Sequence, residues 1–82
     1  MIPRFNRKGA IMNIYLMDED GEQFCIKANT PKEAIDISLS AFLEDSKDDL
    51  ATKGEPYNIE TETKWYFDKV FLSCSLVAEL KN

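Results

Sequence analysis

No histidine occurs in this chain of 82 residues. That absence removes Ser-His and Cys-His nucleophile pairs, histidine-ligated metals and the commonest general base. Cysteine is scarce as well: Cys25 and Cys74 are the two present, far apart in sequence. Two thiols without an imidazole do not complete the usual four-ligand zinc set. Nothing in their placement calls for a disulfide or for the oxidising compartment that one needs. Both sit among apolar neighbours, so two buried free thiols are expected. No apolar run approaches the ~20 residues that cross a bilayer. Arg4, Arg7 and Lys8 near the N-terminus are not followed by the apolar stretch of a secretory signal. The expectation is a cytoplasmic protein with no catalytic residue, no metal and no cofactor.

What is present describes one small folded domain. An apolar fraction of 44% with a net charge of −5 is ordinary for a globular chain and excludes disorder by composition. A chain of this size buries roughly 60% of its unfolded surface, enough for a marginal core without metals or disulfides. The charge is unevenly placed. The first eleven residues hold three of the ten basic residues and none of the fifteen acids. Lys8-Gly9 would be encoded by a purine run resembling a bacterial ribosome-binding site, about two codons before Met12. Residues 1–11 are therefore expected to be an N-terminal extension upstream of a natural start at Met12, with residues 12–82 as the domain. Removing the three basic residues from the ten leaves a charge of 7 − 15 = −8.

Asn13 to Met17 is apolar on both faces, as a central strand would be. Asp20-Gly21 is a strong turn signal, and Glu22 to Ala28 alternates Phe24 and Ile26 against Gln23, Cys25 and Lys27. The pair reads as a β-hairpin. Thr30-Pro31-Lys32-Glu33 is a helix start: Thr30 as cap, Pro31 in the first turn, Glu33 closing a capping box. Ala34, Ile35, Ser38, Leu39, Ala41 and Phe42 then form a stripe at helical spacing, with Asp36, Ser40 and Glu44 opposite. This helix is expected to end between Asp45 and Leu50, with a loop from Lys47 to Pro56. Tyr57 to Phe67 alternates with period two, which predicts a long antiparallel strand, and Val70 to Leu80 reads as the last strand. The expected fold is α+β: a four-stranded antiparallel sheet, ββαββ, with one helix packed on one face.

Several constellations carry a functional reading beside a plainer one. Asp18, Glu19, Asp20 and Glu22 crowd a turn, but Gly21 comes too early and Asn29 stands where an EF-hand loop ends on glutamate, so a solvated hairpin tip is expected. Glu44, Asp45, Asp48 and Asp49, with Glu55 beyond, form a second acidic group. Such a group is a solvated face in the plain reading. In the functional one it imitates a phosphate backbone for a basic, nucleic-acid-binding protein. Glu60 and Glu62 would lie on one side of a solvated strand, without the burial that tunes paired carboxylates for hydrolysis. Trp65 and Phe67 are expected in the core. Tyr66 and Phe71 would then point to the opposite face, packing there or anchoring an interface. Base stacking on single-stranded nucleic acid would need a basic groove, which this acidic chain lacks.

From Met12 onward the chain resembles small phage-encoded anti-CRISPR proteins, in particular type I-E inhibitors. The likeness lies in M-N-I-Y-L-M-D (Met12 to Asp18), in G-E-Q-F-C-I-K-A (Gly21 to Ala28), in the Ala- and Ser-bearing helix that follows, and in V-A-E-L (Val77 to Leu80). Glu44 to Tyr66 has no counterpart in it. The resemblance implies a non-enzymatic inhibitor that binds protein subunits of an RNA-guided surveillance complex, often through acidic surfaces, and so blocks recognition or cleavage of target DNA. It transfers no binding residue, because the matched positions are structural. The expected contact surface comes from the acids Asp18, Glu19, Asp20, Glu44, Asp45, Asp48 and Asp49, with Tyr66 and Phe71. The partner is a protein, a Cas effector subunit in this reading, with no direct nucleic-acid or membrane contact. The alternative is a bacterial or phage assembly module that oligomerises through a sheet edge or through the Tyr66/Phe71 face.

Overall fold

The structure, a computed structural model, describes residues 12–80; the expected extension at 1–11 lies outside the described residues. Strands β1 (Met12–Glu19) and β2 (Glu22–Ala28) form the anticipated hairpin. Asp20 and Gly21 have φ of 50° and 88°. Positive φ at both central residues is the type I′ geometry, whose twist matches that of the flanking strands. Tyr15 pairs with Ile26 and Met17 with Phe24, while Ile14 and Leu16 pair with Lys27 and Cys25 on the other side of the pleat. Side-chain alternation thus gives one apolar face and one mixed face.

Helix α1 (Pro31–Lys53) begins as its sequence predicts. The Thr30 hydroxyl accepts from the Glu33 N–H at 3.1 Å, and the Glu33 carboxylate accepts from the Asn29 N–H at 2.6 Å. A side-chain cap of this kind contributes about 1 kcal/mol. The helix ends later than expected. It runs through Lys53 and stops where Gly54, at φ 74°, lets the Gly54 and Glu55 N–H groups return to the Ala51 and Leu50 carbonyls. That Schellman closure needs a left-handed residue, and Gly54 is the first available. Lys47 to Lys53, expected as loop, is therefore helix.

The second correction concerns Tyr57 to Phe67, which forms no strand. It contains helix α2 (Ile59–Trp65), followed by a π-helical turn over Tyr66–Val70. The Asn58 side chain accepts from the Thr61 N–H at 3.0 Å and so starts the helix. Ile59, Thr63, Tyr66 and Val70 lie within about 60° of one another on a helix of 3.6 residues per turn, so the segment has a helical stripe as well as a period of two. In the π turn the Phe71 N–H donates to the Tyr66 carbonyl, five residues back. Strand β3 (Phe71–Leu80) follows at once.

Among the described residues the sheet accordingly has three antiparallel strands, not four, in the order β2-β1-β3, and the fold is α+β with two α-helices. The core lies on one face of the sheet, where Tyr15, Met17 and Ala28 meet Ala34 of α1, with Phe24, Ile26, Ile35, Phe71 and Cys74 packed around them. Tyr66 and Met17 are the largest side chains that are fully buried. A buried side chain of this size contributes about 1.5–3 kcal/mol. α1 starts at the Ala28 end of the sheet and reaches Phe42 where Phe42 stacks on Tyr66, 5.1 Å between ring centroids. Tyr66 in turn donates to Glu19 at the hairpin tip. The remaining turns of α1 project past the sheet and pack against α2, where the Ser46 hydroxyl donates to Glu62 at 2.5 Å.

Candidate macromolecule-binding surface

The structure separates the anticipated contact residues into three environments. Glu44, Asp45, Asp48 and Asp49 are all exposed, on the part of α1 that overhangs the sheet. At 100° per residue they span about 140° of the helix surface, so they form one broad acidic side. Asp49 is partly neutralised by Lys53 at 3.1 Å. Both groups are well exposed, so the ion pair shapes the local charge more than the stability. Hydrogen bonding to Asp49 and its charge raise the Lys53 pKa.

The hairpin tip is less uniform than its sequence implied. Asp20 is exposed at the turn, whereas Asp18 and Glu19 are half-buried on opposite faces of the sheet. Asp18 Oδ1 is inaccessible and makes no hydrogen bond. Glu19 accepts the phenol hydrogen bond of Tyr66. Of the tip acids anticipated as contacts, Asp20 alone is freely presented; Asp18 and Glu19 are taken up by the sheet because β1 continues through Glu19 instead of ending at Met17.

The aromatic residues are placed in the reverse of the expectation. Tyr66 has no accessible surface, and Phe71 is half-buried against the core, so neither offers an exposed anchor. Trp65 is 53% exposed and Phe67 45%. The exchange follows from the change of element: a strand would have put Trp65 and Phe67 on the face that the helix inverts. Phe42, Phe67 and Phe71 surround the Tyr66 ring, with centroids 5.1–6.0 Å away. Burial raises the Tyr66 pKa, the Glu19 carboxylate raises it further, and the adjacent Ser38 hydroxyl opposes the shift. Ser38 Oγ is itself buried and completes no hydrogen bond of ordinary geometry.

Between the overhanging part of α1 and the chain entering α2 lies an open groove of about 340 Å³, lined by Ser40, Leu43, Glu44, Lys47, Tyr57 and Ile59. Sequence reasoning missed it, since it depends on Tyr57 to Ile59 returning to α1 instead of joining the sheet. The signal was there in Asn58, a good helix cap ahead of Ile59. Glu60 and Glu62, expected side by side, diverge on the helix: Glu60 is exposed and Glu62 is held by Ser46. The expectation of two buried thiols does not hold: Cys74 is only half-buried, with its pKa raised by burial, and Cys25 is exposed on the open face. Among the described residues no group of three Cys, Asp or Glu side chains is arranged to hold a metal ion, and no helix is long and apolar enough to cross a membrane.

The fold and this surface define a small α+β domain with a single-faced, three-stranded antiparallel sheet and an acidic helical overhang. Comparison with family models, with curated protein sequences and with solved structures gives no match.

Proposed function

We propose that this chain is a non-enzymatic, protein-binding inhibitor that acts in the cytoplasm, its acidic end occupying a basic, nucleic-acid-binding surface of a partner. A CRISPR surveillance complex is the proposed partner, in keeping with the resemblance of Met12–Ala28 to type I-E inhibitors. The observation that carries the reading is spatial. The contact from Phe42 through Tyr66 to Glu19 brings Asp20, next to Glu19, to the same end of the molecule as Glu44, Asp45, Asp48 and Asp49. From Glu44 to Glu62 the chain also carries Glu55 and Glu60, against Lys47 and Lys53 alone. An excess of acid at one protruding end suits a site that otherwise holds phosphates and speeds encounter by steering.

The test is a gel-shift titration of labelled target DNA with a guide-loaded type I-E surveillance complex. Wild-type protein is expected to abolish the shift. Replacing Glu44, Asp45, Asp48 and Asp49 together with lysine is expected to restore it, because each exposed charge contributes only about 0.2–1 kcal/mol and the group must be reversed as a whole. Wild type that leaves DNA binding intact sinks the choice of partner. A reversed protein that inhibits as well as wild type sinks the acidic-surface mechanism.

A further inference from the structure

We infer that a second copy of this chain pairs with the outer edge of β3, joining two three-stranded sheets across a two-fold axis into one six-stranded sheet. β3 is an edge strand, with β1 on one side and no strand on the other among the described residues. It is the longest strand, ten residues, or about 33 Å. Its outward row of backbone N–H and C=O groups is therefore an open template for another strand.

Three features select this edge and this partner. From Phe71 to Ala78 the strand bears no charge, although the whole chain carries −5. Two copies of an acidic protein meet with least repulsion where acids are missing, and this stretch is that place. Edge strands are ordinarily guarded by charged side chains or by bulges; β2, at the other edge, has Glu22 and Lys27, whereas β3 has no charge from Phe71 to Ala78 and its two bulged residues, Leu72 and Val77, are large apolar side chains left in water. Leu72, Leu76 and Val77 are 59%, 53% and 57% exposed. Phe67, 5.9 Å from Phe71 between ring centroids, extends this patch at the start of the strand. Finally, antiparallel pairing of a strand with its own copy is self-complementary about a two-fold axis, so one patch serves both subunits.

The register of β3 on β1 shifts between Ile14 and Tyr15 and again between Asp18 and Glu19. These shifts leave Val77 and Leu72 as the extra residues on β3, so Ser73 to Leu76 is the regular stretch. A two-fold axis near Ser75 would pair Cys74 with Leu76 and Leu72 with Ala78 between copies, keeping the apolar rows in line. Specific interfaces begin at roughly 600 Å² per copy, so the exposed Phe67, Leu72, Leu76 and Val77 side chains have to add their area to the short regular stretch of backbone pairing. This pairing is independent of the inhibitory function proposed above.

The experiment is sedimentation of the full chain over a concentration series from about 1 to about 100 μM, since an association equilibrium is read from its concentration dependence. The expected mass moves from 9.4 kDa toward twice that value. The double substitution Leu76→Lys with Val77→Lys puts like charges across the axis and is expected to raise the dissociation constant more than about 100-fold. Circular dichroism checks that this variant stays folded. Hydrogen exchange of the wild type supplies a second readout that needs no mutation, because outward-facing amides of β3 should gain protection as concentration rises. A monomer throughout the series, a dimer indifferent to both lysines, or concentration-dependent protection on β2 instead of β3 overturns the inference. The acidic residues are untouched in these measurements, so the outcome is read separately from the gel-shift test.

Discussion

Replacing Tyr66 with phenylalanine keeps the ring that Phe42, Phe67 and Phe71 surround and removes only the hydroxyl that donates to Glu19. A hydrogen bond to a charged acceptor contributes about 1.5–3 kcal/mol net. Glu19 is half-buried, so water replaces part of the lost donor, and the lower end, about 1.5 kcal/mol, applies at neutral pH. For a domain of this size that corresponds to a fall in Tm of roughly 6–12 °C. The effect depends on pH in a direction that follows from the raised Tyr66 pKa. The folded protein holds the phenol proton more tightly than the unfolded chain. The stabilisation is therefore complete below the unfolded value of about 10, and declines by up to about 1.4 kcal/mol per pH unit as pH rises above it. Tyr66→Phe should lack that component of the alkaline decline. Urea unfolding followed by far-ultraviolet circular dichroism, at pH 7 and between pH 9 and 11 on both proteins, measures each quantity. A double-mutant cycle with Glu19→Gln should return a coupling of about 1 kcal/mol. A Tyr66→Phe cost below about 0.5 kcal/mol, together with strict additivity in the cycle, would refute the claim that this hydrogen bond ties the helical layer to the hairpin tip.

Two further outcomes follow from single positions. Gly21→Ala meets no atom within 4 Å of the new Cβ, so its cost is conformational strain at φ 88° alone; that is about 1–2 kcal/mol, read as a lower urea midpoint with unchanged slope, and Gly21→Asn should recover part of it. Ellman's reagent at pH 8 should label Cys25 at least about tenfold faster than Cys74, because Cys74 is shielded and its thiol is pushed up by burial. Equal rates would mean that β3 opens readily.

The hairpin and the start of α1 were legible because their signals are short-range. An Asp-Gly turn, strand alternation and a Thr-Pro-x-Glu cap each act within a few residues. The end of α1 was misjudged since Asp45 to Leu50 contains nothing that terminates a helix. The true stop is the left-handed Gly54, which lies inside the stretch expected as loop. Tyr57 to Phe67 was misread because Thr61 and Thr63 continue the row of Tyr57, Ile59, Trp65 and Phe67 in a strand, while Ile59, Thr63, Tyr66 and Val70 make an equally good helical stripe, leaving period two and period 3.6 both satisfied. The misplacement of Tyr66, Phe71, Trp65 and Phe67 followed from that one ambiguity. Among the acids, Glu44, Asp45, Asp48 and Asp49 were readable as an exposed group because adjacent charges on one side of a helix stay in water. Asp18 and Glu19 were not, since their burial depends on the length of β1.

Sequence alone determined the α+β class, the hairpin and its turn, the capped helix and, apart from the exposed Ala41, the side of it that is buried, for each rests on chemistry within about one turn or one strand pair. Tertiary structure decided that three strands and not four make the sheet, that β3 lies on the far side of β1 from β2, and that Tyr66 fills the core while Trp65 faces solvent. Those outcomes depend on which surface is present to be covered. Tyr66 is drawn inward because α1 and the sheet leave a slot at Phe42 and Glu19, and no window of sequence around Tyr66 contains the other walls of that slot.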